Sequence, residues 1–272
     1  MVAHLVLITT DLDRTLLFSR RATARLGGGL PADPVEAQGA ELCRAARDSL
    51  AGLPPHVRIC VATSRSVSRL ARLRLPFATP YAIAANGGVV LVDGAPDEGW
   101  AARTERLLAA AAPAAAVRAA LAVKDKPGWL IRMGDADDMC CMAVVDLGVF
   151  GENELAVIAR RCGELGWEAS LIGRKLYAFP AGFGKEHATA YVTQRVAALA
   201  GATPLRLAAG DTEHDRRMLA DADHAWVPAG SELARSAAGE GFATSREPGH
   251  AAAAQITADW LARCRAPAAP DS

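Results

Sequence analysis

The stretch His4-Leu5-Val6-Leu7-Ile8-Thr9-Thr10-Asp11-Leu12-Asp13-Arg14-Thr15 decides the fold of this chain. Its first six residues are almost continuously apolar, the pattern of a parallel strand covered on both faces. A strand that ends in Asp-x-Asp-x-Thr delivers two carboxylates to the carboxyl edge of its sheet, where open α/β sheets bind ligands. Neighbouring acids repel each other and lose solvation, so Asp11 and Asp13 need a counter-charge, either a divalent cation or a lysine.

Outward from that strand a βα rhythm is legible. Residues 57–62 read as a second buried strand ending at Thr63-Ser64-Arg65, followed by a helix with Val67, Leu70 and Leu73 that Pro76 stops. A helix is expected over about 34–51 before it. Tyr81-Ala82-Ile83-Ala84 reads as a third strand, closed by Asn86-Gly87-Gly88. The pattern then changes. Residues 89–92 and the turn Asp93-Gly94 predict a hairpin, and an alanine-rich helix is expected over about 101–122. Antiparallel strands near 129–133 and 139–147 flank the acidic turn Asp135-Ala136-Asp137-Asp138. A helix over about 153–165 and strands near 168–172 and 175–179 follow. From Gly184 the βα rhythm returns, and strand Leu205-Arg206-Leu207-Ala208-Ala209 ends at Gly210-Asp211. The fold class is therefore α/β: a Rossmann-like, three-layer parallel-sheet core with a smaller α+β cap domain. The expected division is a discontinuous core over 1–88 and 181–266, a cap over 89–180, and a disordered Pro-rich tail over 267–272.

At 272 residues the chain exceeds the usual single domain, in keeping with that division. A 51% hydrophobic and 22% charged composition suits a globular protein with a full core. Thirty basic residues balance thirty acidic ones, which argues against nucleic acid as a partner. No apolar run reaches membrane-spanning length, so no membrane partner is expected either. The N-terminus enters a strand directly, without a basic leader region. None of the 6 cysteines forms a Cys-x-x-Cys pair, and they read as reduced, buried thiols of a cytoplasmic protein.

Parallel strands converge at one edge, so Asp11/Asp13, Thr63 with Ser64, Lys185 at a helix start and Asp211/Asp215 are expected around one small cavity. Two acid pairs, a hydroxyl and an amine suit phosphoryl transfer. A carboxylate can act as nucleophile, Mg²⁺ needs few carboxylate ligands, and a lysine offsets charge on the transferring oxygens.

Taken together these stretches resemble the haloacid dehalogenase superfamily. Asp11-Leu12-Asp13-Arg14-Thr15-Leu16 is similar to its first motif and Ala62-Thr63-Ser64-Arg65 to its second; Lys185 matches the third and Gly210-Asp211-Thr212-Glu213-His214-Asp215 the fourth. The resemblance implies a Mg²⁺-dependent phosphatase that hydrolyses a small soluble phosphomonoester (a sugar phosphate, nucleotide or cofactor phosphate) through an aspartyl-phosphate. It implies Asp11 as nucleophile and metal ligand. Asp13 is then acid and base, with its carbonyl on the metal. Thr63, Ser64, Asn86 and Lys185 become phosphate contacts, and Asp211 and Asp215 complete the metal set, Asp215 through a metal-bound water or through Lys185. The insert resembles the cap of the Cof-type branch, with hinges at Gly87-Gly88 and Ala181-Gly182. Arg14, where the family commonly has glycine, His214, where asparagine is common, and the long lead over 17–38 depart from the pattern. Together with Tyr81-Ala82-Ile83-Ala84-Ala85-Asn86-Gly87-Gly88, these details resemble hydrolases encoded beside tellurite-resistance genes.

Read singly, the same residues have plainer meanings. Asp11, Asp13 and Thr63 fit a turn or helix cap, Asp211/Asp215 the first turn of a helix, and Lys185 an exposed surface lysine. Arg132, Arg174 and Lys175 in the cap fit either substrate contacts or surface charge. A phosphomutase and a catalytically weak ligand-binding or regulatory protein remain as alternatives, and the assembly is expected to be a monomer or homodimer.

Overall fold

The computed structural model describes residues 5–25, 29–37, 39–122, 128–135 and 139–266. The expected tail over 267–272 and the turn residues 136–138 lie outside them.

The organising element is an eight-stranded sheet in the order Ala243–Thr244, His224–Val227, Leu205–Ala209, Val6–Thr10, Val57–Ala62, Tyr81–Ala84, Val89–Val92, Ala95–Pro96. The first six run parallel and the last two antiparallel. Val6–Thr10 lies in the middle, all five residues buried, because both faces are covered. On one face Leu50, Ile256 and Trp260 of helices Arg44–Ala51 and His250–Arg265 pack on Ile8 and Val61. On the other Ala188 and Val192 of helix Lys185–Ala200 pack on Leu7 and Cys60. This is the expected three-layer core. All six cysteines are buried, and among the described residues no helix is long and apolar enough to cross a membrane.

A separate four-stranded antiparallel sheet has the order Trp167–Ile172, Lys175–Pro180, Cys141–Val145, Leu130–Asp135. Helices Ala114–Ala122 and Glu152–Glu164 cover one of its faces, burying Leu121, Ile158, Leu176 and Ala178.

Several local expectations are corrected. Val89–Val92 pairs with Tyr81–Ala84, so the expected boundary at 88/89 falls inside the large sheet. The helix expected over 34–51 begins only at Arg44. Ala40–Cys43 is instead the centre of a three-stranded sheet with Leu17–Ser19 and Ala32–Pro34, buried at Ala40, Leu42 and Cys43. The helix after Arg65 is a single turn, Val67–Leu70. The helix over 101–122 is two, Glu98–Ala110 and Ala114–Ala122. Pro113 between them lacks an N–H and clashes with the preceding turn.

The two crossings between the sheets touch. A Cβ on Gly87, whose φ is +98°, would lie 2.3 Å from the carbonyl oxygen of Gly184. The Gly87 and Gly88 carbonyls accept hydrogen bonds from Trp100 Nε1 (2.9 Å) and Thr104 Oγ1 (2.8 Å), tying helix Glu98–Ala110 to this junction.

Candidate active site

The motif residues meet at the carboxyl edge of the large sheet. Asp11 follows the central strand, and its N–H donates to the carbonyl of Ala209 (2.9 Å), which brings the Gly210-Asp211 loop alongside. Thr63 follows the neighbouring strand and is buried. Its backbone is braced by Ile83 and Asn86, while its Oγ1 accepts from the Arg65 N–H (3.1 Å). Asn86 is buried with φ +53°, and its Oδ1 has no hydrogen-bond partner among the described residues. Ser64 sits half-buried on the same turn.

Lys185 joins the two ends of the chain. Its Nζ donates to Asp11 Oδ1 and Asp215 Oδ1, both at 2.6 Å, and all three side chains are buried. Burial alone would lower the lysine, but Asp11 and Asp215 outweigh it and hold the ammonium above its usual range. The acids pay the reciprocal cost. Burial pushes the Asp11 carboxyl up to about 7, with Lys185 opposing and Asp215 and Asp13 adding. Asp211 is raised by burial, then by Asp11 and Asp215.

Asp215 is the keystone of its loop. Its Oδ2 accepts from the Asp211 N–H (3.2 Å), the Thr212 N–H (3.1 Å) and Thr212 Oγ1 (3.0 Å). A Cβ on Gly210 would lie 2.4 Å from Asp215 Cβ, so only glycine allows this packing. With Oδ1 on Lys185 and Oδ2 on the loop, Asp215 supports both, and its contact with Lys185 is one of the two that the resemblance implies.

The donor set fits a hard divalent cation. Asp211 is 4% exposed, and among the described residues its carboxylate has no hydrogen-bond or ion-pair partner. A buried carboxyl that Asp11 and Asp215 oppose, and that Lys185 and Arg14 offset only through space, calls for further positive charge. Among the described residues no three His, Cys, Asp or Glu side chains form a metal cluster; two carboxylates with a carbonyl and water are the sparse set that Mg²⁺ takes.

Asp13 faces the other way, about half-exposed, in a two-pronged pair with Arg65: Nε to Oδ2 and Nη2 to Oδ1, each 2.7 Å. Desolvation would raise its carboxyl, but the Arg65 hydrogen bonds and charge outweigh that and keep it below the ordinary range. Arg65 also reaches Glu36 at 3.1 Å.

The second sheet closes over this edge. His214 Nε2 lies 2.6 Å from Ser170 Oγ, and its ring sits edge-on to Tyr177 and Phe179, which stack on each other. Tyr177 also reaches Ser64. Burial and then Lys185 push His214 down to about 4, so its imidazole is neutral near pH 7. Ser170, Tyr177, Phe179, Glu36 and a role for Arg65 escaped the sequence reading. The alternation of Lys175, Tyr177 and Phe179 against apolar Leu176 and Ala178 was the available signal. A groove of about 930 Å³ beside His224, Trp226 and Arg263 contains none of the motif residues.

No family profile matches the chain, and no curated protein sequence matches it. Solved structures do. Sucrose-phosphatase from Synechocystis sp. PCC6803, in complex with sucrose and phosphate, superposes with a TM-score of 0.68 at 15% identity, over 95% of this chain and 98% of that one. A phosphatase of the haloalkanoate (HAD) enzyme superfamily from Bacteroides thetaiotaomicron gives 0.60 at 14% identity, over 96% of each chain. A trehalose-6-phosphate phosphatase related protein gives 0.54 at 17% identity, over 94% and 97%. The chain thus has the fold of HAD-superfamily phosphatases.

Proposed function

We propose that the protein is a Mg²⁺-dependent phosphatase of the Cof-type arrangement, hydrolysing a small phosphomonoester through an aspartyl-phosphate. The observation that carries this reading is the buried Lys185 holding Asp11 and Asp215 at 2.6 Å each, beside the unpartnered Asp211. In this reading the four-stranded sheet and its helices are the cap, the large sheet is the core, and the Gly87/Gly184 contact is their pivot. The sugar phosphatases among the structures of like fold favour a sugar phosphate over nucleotide or cofactor phosphates. Six buried cysteines favour a reducing, cytoplasmic setting.

Lys185 fixes the Asp11 carboxylate and leaves its second oxygen to attack phosphorus. Thr63 Oγ1 and the Ser64 N–H donate to the phosphoryl oxygens, with Asn86 beside them. A Mg²⁺ ion held by Asp11, the Asp13 carbonyl and Asp211 would neutralise repulsion between carboxylate and phosphate dianion. As the phosphorus–oxygen bond to the leaving group breaks, Asp13 gives that oxygen a proton. To do so Asp13 must first leave Arg65 and become protonated, since the ion pair keeps it ionised. It then takes a proton from the water that attacks the aspartyl-phosphate, restoring Asp11 and releasing phosphate. The cap contacts through His214, Ser170 and Tyr177 keep bulk water out during these steps.

The test is Asp11→Asn assayed with p-nitrophenyl phosphate and Mg²⁺. Turnover by the wild type and none by the variant supports the reading; turnover retained by the variant overturns it.

A further inference from the structure

The cations around Asp13 are more numerous than the chemistry at phosphorus requires. Along strand Lys175–Pro180, Leu176 and Ala178 enter the cap's own core, so Lys175, Tyr177 and Phe179 take the opposite face. Tyr177 and Phe179 rest on His214, so this face covers the motif edge, with Lys175 at its outer end. Arg14 follows Asp13 directly, and Arg69 lies one turn beyond Thr63-Ser64-Arg65. Arg14, Arg69 and Lys175 are all exposed. Among the described residues none of the three side chains has a hydrogen-bond or ion-pair partner. Arg14, Arg69 and Arg65 therefore lie within electrostatic reach of Lys175, beside Asp13 and Glu36, and Arg14 also acts on Asp211 and Glu232. Lys175 registers the crowding. Partial desolvation, and then Arg14, Arg69 and Arg65, hold its ammonium below the usual lysine range against the pull of Asp13.

Arg14 adds a second oddity. Its φ is +69°, a left-handed conformation that disfavours any residue with a Cβ and that glycine adopts freely. The arginine makes no direct hydrogen bond or ion pair to offset this, only the through-space pull of Asp211 and Glu232, which leaves its guanidinium available to a ligand.

Asp13 is the group proposed to touch the leaving oxygen, whereas the phosphoryl group sits by Lys185 and Thr63. Charges gathered about Asp13 therefore face the leaving group. The geometry points to a phosphomonoester whose leaving group carries a second anion, a carboxylate or another phosphate, received by Arg14, Arg69 and Lys175. This rests on the phosphatase reading and narrows it: an acidic substrate, unlike the neutral sucrose bound by sucrose-phosphatase.

The test compares kcat/KM within matched pairs: 3-phosphoglycerate against glycerol 3-phosphate for a carboxylate, and fructose 1,6-bisphosphate against fructose 6-phosphate for a second phosphate. At least one acidic member should be preferred about tenfold or more, mainly through KM, with the preference shrinking as salt rises. In Lys175→Met and in Arg14→Gly the preference ratio should fall about tenfold. Arg14→Gly suits the backbone at this position, so misfolding does not confuse its outcome. Turnover of p-nitrophenyl phosphate without preference for either acidic ester, or ratios unmoved in both variants, overturns this inference and leaves the phosphatase reading intact. No turnover of any ester, the aryl phosphate included, sinks both.

Discussion

Lys185 and Asp11 are 174 residues apart in the chain, yet their side chains meet at 2.6 Å in the buried centre of the site. Asp215 completes the bridge at the same distance. Removing the lysine leaves Asp11 and Asp215 as buried acids without their shared cation. Breaking a buried pair by deleting one partner costs about 3–5 kcal/mol. Lys185→Met should lower the metal-free protein's stability by that order in urea titration and abolish turnover of p-nitrophenyl phosphate. A stability loss under ~1 kcal/mol would show that the acids are not ionised together in the native state.

Asp211 gives the complementary experiment. Its carboxyl is raised by burial and by Asp11 and Asp215, which outweigh Lys185 and Arg14, so Asp211→Asn should stabilise the metal-free protein by about 1 kcal/mol through loss of that burial cost and repulsion. Mg²⁺ should raise the wild-type melting temperature, by the equivalent of about 2.7 kcal/mol at a hundredfold excess over Kd. The variant should lose that rise. EDTA should abolish wild-type turnover, and added Mg²⁺ should restore it. An equal Mg²⁺ shift in wild type and variant would remove Asp211 from the metal set.

Gly87 tests the pivot between the sheets. Its φ of +98° and the Gly184 carbonyl 2.3 Å from any Cβ exclude a side chain twice over. Gly87→Ala should destabilise the protein by more than about 1 kcal/mol. By forcing the crossings apart, it should also raise KM for phosphate esters. Gly94→Ala is the control: its φ is +83°, but nothing lies within 4 Å of the added Cβ. A Gly87→Ala loss no larger than that of Gly94→Ala would show that the crossings separate freely.

The sequence was most readable where strand ends carry polar residues. Asp11, Thr63 and Asp211 each follow a run of buried residues that could only be a central strand, and parallel topology then requires their convergence. Lys185 was legible only jointly, because a lysine opening a helix has no local mark of burial. The segment over 17–43 misled because its strands are three and four residues long, too short for a period-two pattern. Its alanines and charged residues imitate a helix as well. The tie between Asp13 and Arg65, like the seating of His214 on Tyr177 and Phe179, depends on side-chain direction across different elements. Propensity and periodicity carry no such information. Arg14 stood out as an unusual residue, and the structure supplies the reason: a backbone shape that glycine suits.

Asp97 carries the pH prediction, away from the proposed metal ligands. It caps helix Glu98–Ala110: Oδ1 accepts from the Trp100 N–H at 2.9 Å and the Tyr191 hydroxyl at 2.6 Å, and Arg195 lies 3.0 Å from Oδ2. Burial would raise this carboxyl, but Tyr191, the Trp100 N–H and Arg195 outweigh it and hold it below the ordinary value. A depressed carboxylate stabilises fully above the unfolded-state value near ~3.9 and loses that contribution as pH falls through the folded-state value. Asp97→Asn keeps the shape and removes the charge, so it should cost about 1.5–3 kcal/mol at neutral pH. The gap between the wild-type and variant urea midpoints should hold from neutrality down to about pH 5 and narrow progressively as pH falls below ~3.9. A gap unchanged across that range would mean that hydrogen bonding alone, and not the ionised carboxylate, anchors this helix to the core.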